Sequence, residues 1–328
     1  MTVGMTEGTR GSGVGARRRV VDALCLVLVL TLAVKFLAPG LLSTPAVAAW
    51  STVFVAICVQ AAPYLVLGVG VSTAIAVFVP ARFFERALPS NAMLAVPVAG
   101  VAGVALPGCE CGSVPVAASL MERGVARGAA VAFLLSAPAI NPVVLVATAV
   151  AFPGHPIVVA ARAGASLATA VIVGWIWQRL GRSIPVPRRF AQIRGGRLER
   201  AREVAAHDVT QSIGFLTIGA AAAATLNVTV PRSFLAHFAG TNLVAVPALA
   251  LLAVILAVCS EADAFVAASL TQFSLTARLA FMVVGPAVDL KLIAMQAGTF
   301  GRRFAARFAP LAAVTACLSA AVIGGIVL

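Results

Sequence analysis

Charge is what this sequence lacks most. Only 11% of its 328 residues are Asp, Glu, Lys or Arg, against about 25% in a typical soluble domain. With 61% hydrophobic residues and a mean hydropathy of +1.04, that scarcity excludes an ordinary soluble fold. A buried soluble helix explains one long apolar run. It does not explain about eight or nine windows that each exceed the roughly 20 residues needed to cross a bilayer core. Acidic groups are scarcer still, with 11 Asp and Glu against 24 Lys and Arg and a net charge of +13. A nucleic-acid surface is excluded by where the arginines fall, in short loops between hydrophobic spans, which is the pattern that orients membrane helices. The six cysteines are scattered and several lie inside spans, so a secreted disulfide framework is excluded too. No GxxxxGK[ST] motif occurs, so ATP is not a direct energy source. No cofactor is expected.

What is present is an all-α polytopic membrane protein. The N-terminus carries Arg17, Arg18 and Arg19, a long apolar run and an Ala46-Val47-Ala48 stretch, which together imitate a cleavable signal. The apolar run, 20–42, is longer than the 7–15 residues of a signal core, which favours a retained first transmembrane helix behind a disordered basic tail, 1–19.

The chain also repeats itself. "CECGSVPVAASL" at 109–120 aligns with "CSEADAFVAASL" at 259–270, so that Cys109 matches Cys259 and Val116–Leu120 matches Val266–Leu270. "AFLLSAPAIN" at 132–141 aligns with "AFMVVGPAVD" at 280–289, and "NAMLAVP" at 91–97 resembles "NLVAVP" at 242–247. Gly68 and Pro80 find counterparts at Gly219 and Pro231, and the offset stays between 148 and 151. Two homologous halves follow, 48–180 and 209–328, joined by a basic linker over 181–208.

Charge counting orients them. The stretch Arg179–His207 holds eight Arg and two Glu and is assigned to the cytoplasm, as is the N-terminus. The apolar pieces 92–106 and 113–121 are too short to cross a core of about 30 Å at 1.5 Å per residue. Treating them as a re-entrant hairpin gives the first half an odd number of crossings and makes the second half inverted. Of the 22 arginines, 19 are then cytoplasmic, Arg232 and Arg278 lie outside, and Arg162 lies within a span. The expected fold is about 8–9 transmembrane helices plus two re-entrant broken hairpins in two inverted-topology repeats. Short, broken segments at matching positions of inverted repeats point to a transporter site near the midplane.

Those broken segments carry the chemistry. An ionisable group deep in a membrane costs about 2.5–3.5 kcal/mol on insertion scales. The first apex holds Cys109, Glu110 and Cys111; the second holds Cys259, Glu261 and Asp263. Gly108 and Gly112 permit the first turn, with Ser113 expected to cap the following helix and Pro115 to sit in its first turn. An extended Cys-x-Cys turns both sulfurs to one side, and soft thiolates select Cu(I), Zn or thiophilic metalloids. Cys109 and Cys111 are therefore the candidate metal or metalloid ligands, with Cys259 as a third. A nearby carboxylate accepts the proton released when a thiol binds such a substrate. "SAPAINP" at 136–142 forms a second constellation, in which Pro138 and Pro142 break a helix around Asn141. The matching "GPAVDLK" places Asp289 opposite, with Lys291 two residues on. Residues i and i+2 of a continuous helix do not face each other, so a salt bridge between Asp289 and Lys291 needs unwound backbone; the alternative is that Asp289 faces Asn141 across the pseudo-symmetry axis. Glu110, Glu261, Asp263, Asp289 and Lys291 are the candidate proton-coupling groups.

With its related second half, "PGCECGSVPVAASLMERGVARGAAVAFLLSAPAINPVVLVAT" resembles the bacterial predicted-permease family, which includes the ArsP-type organoarsenical permeases, over about 50–328. The resemblance implies an inner-membrane protein of eight or more helices that exports trivalent organoarsenicals or a soft metal ion such as copper or zinc. It also implies that Cys109 and Cys111 are substrate thiols and that Asn141 and Pro142 belong to the signature. Many members have Cys-Ser-Cys where this chain has Cys-Glu-Cys. The expectation is a proton-coupled secondary permease, not an enzyme, in the bacterial cytoplasmic membrane. Its partners are membrane lipid and a small-molecule or metalloid substrate. Two alternatives are a permease for an ordinary metabolite with structural cysteines and a membrane thiol oxidoreductase. The oxidoreductase is disfavoured because such enzymes space their cysteines by two residues and no partner pair is visible.

Overall fold

Apolar runs without charge become long helices in the computed structural model, which describes residues 45–80, 82–83, 87–106, 110–180, 196–229 and 242–328. The first half begins with α1 (Pro45–Phe78). Next comes α2 (Ala92–Ala102), whose N-cap Asn91 accepts from the Met93 N–H and which tightens into a 3₁₀ turn at Gly103–Ala105. α3 (Glu110–Glu122), α4 (Arg127–Ile140), α5 (Pro142–Ala151) and α6 (Pro156–Leu180) follow. The second half runs through α7 (Arg197–Thr229), α8 (Asn242–Leu256), α9 (Asp263–Ser269), α10 (Leu275–Ala287), α11 (Leu290–Phe300) and α12 (Arg302–Val327). The same order recurs in each half: a long helix, a short one with an internal proline (Pro97 or Pro247), a short apex helix, a broken helix, and a long closing helix.

Among the described residues six segments are long and apolar enough to cross a membrane: α1, α4 with α5, α6, Ala201–Leu226 of α7, α10 with α11, and α12. This is a multi-pass helical membrane protein. α2 has 11 residues and α8 has 15, or about 17–23 Å of helix at 1.5 Å per residue, short of the roughly 30 Å core. The two broken helices form the interior: 78% of the α4–α5 span and 83% of the α10–α11 span is buried, against 28% of α1 and 33% of α12. The outer helices present apolar side chains such as Val59, Val66, Leu318 and Val322 outward, as lipid-facing surfaces do.

Residues 1–52 form a unit of their own, of which only the opening turns of α1 are described; everything below concerns the second unit, 53–328. The first span expected at 20–42 lies outside the described residues. Within the stretch expected as a linker over 181–208, residues 197–208 are the first turns of α7. Its Asp208 is buried and accepts from the Ser72 hydroxyl at 2.8 Å, and Ser72 lies 2.7 Å from the Ser119 hydroxyl. One carboxylate thereby ties α7 to α1 and α3, which explains why the chain is helical well before its apolar run begins.

Both inner helices break at equivalent positions. Pro138 in α4 and Pro286 in α10 lie inside their helices, where each removes one helical N–H, and at the first break Pro142 also disfavours helical backbone at Asn141. At the break itself the chain turns extended, with φ −68° and ψ 157° at Asn141 and φ −144° and ψ 173° at Asp289. Each side chain then caps the next helix: Asn141 Oδ1 accepts from the Val144 N–H at 3.0 Å, and Asp289 Oδ1 accepts from the Leu292 N–H at 2.6 Å. The Asn141 amide also donates to the Ala137 carbonyl at 3.0 Å, closing the break from both sides.

Candidate functional site

Glu110 opens α3, and its side chain is buried. The first turn of a helix leaves N–H groups without intrahelical partners and carries the positive end of the macrodipole, so a carboxylate is favoured there. The helix starts four residues earlier than a Ser113 cap requires. Ser113 instead donates its hydroxyl back to the Glu110 carbonyl at 2.9 Å, and Pro115 falls in the second turn. Cys111 is accordingly helical and completely buried, not part of an extended strand. Gly68 and Gly112 together let α1 approach α3: a Cβ on Gly68 would overlap the Gly112 backbone, and one on Gly112 would crowd the Tyr64 carbonyl oxygen.

The second half supplies the counter-charge. α8 stops at Leu256, and Ala257 takes a left-handed φ of 48°, a conformation that costs an L-residue roughly 1–2 kcal/mol. The Ala257 carbonyl accepts from Lys291 Nζ at 2.8 Å. Lys291 itself stands in the first turn of α11, directly after the unwound Asp289. Its ammonium lies 2.6 Å from Glu110 Oε1 and 2.9 Å from Asp289 Oδ2. α7 presses on it from behind, because a Cβ at Gly219 would overlap the Lys291 backbone.

A second buried cation completes the arrangement. Arg162 on α6 has no exposed surface. It donates to Thr148 Oγ1 on α5 at 2.8 Å, to the Ser260 carbonyl at 3.1 Å, and to Asp263 Oδ2 at 2.8 Å. Ser260 turns its hydroxyl toward Glu110 Oε2 at 3.4 Å. Glu261 lies within electrostatic reach of Glu110 and Lys291, and both thiols, Cys111 and Cys259, lie within reach of the Lys291 ammonium. Four carboxylates thus surround two cations where the α3 apex meets the 257–263 segment. Taking such charges out of water is repaid only by close, hydrogen-bonded pairing, and these contacts supply it.

Beside this cluster is a cavity of about 470 Å³. Its walls are apolar, including Leu252, Leu256, Val266 and Phe273, and Cys259 and Lys291 line it as well. A mostly apolar pocket with a few polar groups and a charge is the usual form of a small-molecule site.

A family described as "Predicted permease" matches residues 46–325. The chain belongs to that family. UPF0718 protein YcgR of Bacillus subtilis (strain 168) is 35% identical to this permease over 263 residues, 77% of this chain and 90% of that protein. A Streptococcus mutans (serotype c, strain UA159) protein named "Putative two-component membrane permease complex subunit" is 30% identical over 266 residues, 78% of this chain and 88% of that protein. No solved structure matches the permease. Permeases move a substrate without converting it, so the family points to a transporter rather than an enzyme.

Of the residues singled out from the sequence, Glu110, Glu261, Asp263, Asp289 and Lys291 come together in the permease, with Cys111 and Cys259 among them. Cys109 lies outside the described residues, and among the described residues no three His, Cys, Asp or Glu side chains form a metal-binding group. Asn141 and Pro142 shape the break, as cap and as first residue of α5. Of the two arrangements open to Asp289 it takes the pair with Lys291, because the extended backbone at Asp289 removes the helical geometry that would keep residues i and i+2 apart. Arg162 and Ser260 carried no role in the sequence reading. The available signal was that Arg162 alone among the arginines sat within a span, where a cation needs a partner.

Proposed function

We propose that this permease is a proton-coupled secondary efflux permease of the bacterial cytoplasmic membrane for a thiophilic substrate, a trivalent organoarsenical or a soft metal ion. The observation that carries the reading is the convergence of Cys259, Cys111, Glu110 and Lys291 beside one apolar cavity. Thiols from both halves, Cys259 with Cys111 and Cys109, bind the substrate. Thiol ligation releases protons, and the surrounding carboxylates are there to take them. Glu261 is well placed for this, because it lies beside the Cys259 thiol and within electrostatic reach of Lys291. Lys291 and Arg162 offset two of the other three carboxylates, Glu110, Asp263 and Asp289, which leaves a carboxylate to exchange protons as inward proton movement drives export. The contact between Glu110 and Ser260, which occupy equivalent places in the repeat, supports two halves inverted about an axis through the apex.

The test is uptake of a trivalent methylarsenical, Zn²⁺ or Cu⁺ into inverted membrane vesicles, with and without a proton gradient. Gradient-dependent uptake by wild type, abolished in Cys259→Ser and Cys111→Ser, is expected. Full transport of every thiophilic substrate by both variants overturns the thiol-ligand assignment. The apolar walls of the cavity favour a second reading, export of an ordinary apolar metabolite with structural cysteines. Under it, the same variants keep their transport of that metabolite.

A further inference from the structure

The two buried cations make reciprocal contacts that the sequence gives no reason to expect. Lys291, from the second half, reaches Glu110 at the apex of the first. Arg162, from the first half, reaches Asp263 and the Ser260 carbonyl in the broken segment of the second. Residues 257–262, between α8 and α9, are not helical, and their backbone hydrogen bonds are local: the Ala257 N–H to the Ala253 carbonyl, and the Ala262 and Asp263 N–H groups to the Cys259 carbonyl. These local bonds do not fix the segment against the rest of the molecule; side chains do, as Lys291 grips the Ala257 carbonyl, Arg162 grips Ser260 and Asp263, and the Ser260 hydroxyl reaches Glu110. Arg162 is fixed in turn by Thr148 on the far side of the first break, whose own hydroxyl donates to the Val144 carbonyl at 2.7 Å.

We propose that Arg162 is the positioning residue of the site: it suspends the Cys259-bearing segment of the second half from the first half, and so sets where Cys259 and Ser260 stand relative to Glu110. The chemistry of the contact favours arginine over lysine. One planar guanidinium bonds a hydroxyl through one nitrogen and a carboxylate together with a carbonyl through another, a fan of directions that an ammonium on a flexible stem does not hold. α8 ends at Leu256 and α9 begins at Asp263, so the latch holds the segment at the border of α9, and detaching it frees the non-helical stretch between the two helices. Its consequence for transport rests on the efflux reading above. Its consequence for Cys259 does not.

The experiment labels full-length permease in native membranes with N-ethylmaleimide and reads each cysteine by peptide mass spectrometry. Cys259 is buried in the wild type, so its labelling is slow. The neutral pair Arg162→Met with Asp263→Asn removes the latch without leaving a lone buried charge, and is expected to speed Cys259 labelling about tenfold by local opening. Cys58 and Cys317, on α1 and α12, are half-buried and keep their wild-type rates. Arg162→Lys keeps the charge but not the three-way geometry, and gives an intermediate rate. In vesicles that transport, Arg162→Lys raises KM more than it lowers the maximal rate, since the binding groups are displaced and not removed. An unchanged Cys259 rate in the folded double variant overturns the proposal. So does a parallel rise at Cys58 and Cys317, which signals general loosening. If wild type moves none of the thiophilic substrates, the efflux reading fails while the labelling arm still decides the latch.

Discussion

Replacing Lys291 by methionine is the sharpest probe of the cluster, because it removes one charge from three partners. The ammonium lies 2.6 Å from Glu110 Oε1, 2.9 Å from Asp289 Oδ2 and 2.8 Å from the Ala257 carbonyl. Methionine has nearly the same length and fills the volume, so cavity formation contributes little. What remains is two buried carboxylates facing each other without a counter-ion, and breaking a buried pair in this way costs about 3–5 kcal/mol. Glu110→Gln alone leaves the Lys291–Asp289 pair intact and loses a charge-assisted hydrogen bond, about 1.5–3 kcal/mol. Combining the two leaves only Asp289 uncompensated, and its other oxygen is still bonded to the Leu292 N–H. The double variant is therefore more stable than Lys291→Met alone, and the coupling energy of the cycle is about 2 kcal/mol or more in favour of the pair. The assay is thermal unfolding of detergent-purified protein, followed through exposure of the buried thiols Cys111 and Cys259 to a fluorogenic maleimide. A loss of this size lowers the midpoint by roughly 5–15 °C in a chain of this length. Lys291→Met costing under about 1 kcal/mol, with no coupling to Glu110→Gln, would refute the pairing and with it the charge accounting of the site.

Three further substitutions check the local arguments. Ala257→Gly relieves a left-handed alanine, so the unfolding midpoint should rise by the equivalent of about 1 kcal/mol; a fall would show that the Ala257 methyl holds the segment. Gly219→Val should lower both stability and transport, by about 1–3 kcal/mol in unfolding measurements, because its branched side chain must displace the Lys291 backbone. Asn141→Ser keeps a neutral oxygen to cap α5 and should retain more stability than Asn141→Leu, which loses about 1 kcal/mol or more of capping; equal midpoints for the two would deny the capping role.

The membrane class and the two inner breaks were legible because they are local. Scarce charge marks spans wherever they pack, and Pro142 disfavours helical backbone at Asn141 through its own ring, with Asp289 standing at the aligned position of the second break. The start of α3 was misplaced because Ser113 and Glu110 both suit a first turn, and only burial of the carboxylate against Lys291 decides between them. Alignment of the halves drew attention to positions that match, and these turn out to carry the scaffold: Asn141 and Asp289 cap equivalent helices, and Glu110 meets Ser260, its own counterpart, 150 residues on.

The charges that set the chemistry sit where the halves differ. Lys291 aligns with Val143, and Glu261 aligns with Cys111, so neither cation–carboxylate contact at the apex has a mirror image. Arg162 likewise serves only one break, reaching from the first half into the second. A strictly symmetric pair of apexes would place identical groups face to face, and two like charges at that distance repel. At aligned positions that differ, a carboxylate from one segment instead meets an ammonium from the other, and that difference is what lets the site hold charge inside a membrane. Exchanging Val143 and Lys291 tests this directly. Val143→Lys with Lys291→Val keeps composition but moves the ammonium onto α5, whose Val143 is exposed, away from Glu110. Loss of transport together with a lower unfolding midpoint is expected, and retention of both would mean that the position of the cation between the halves is immaterial.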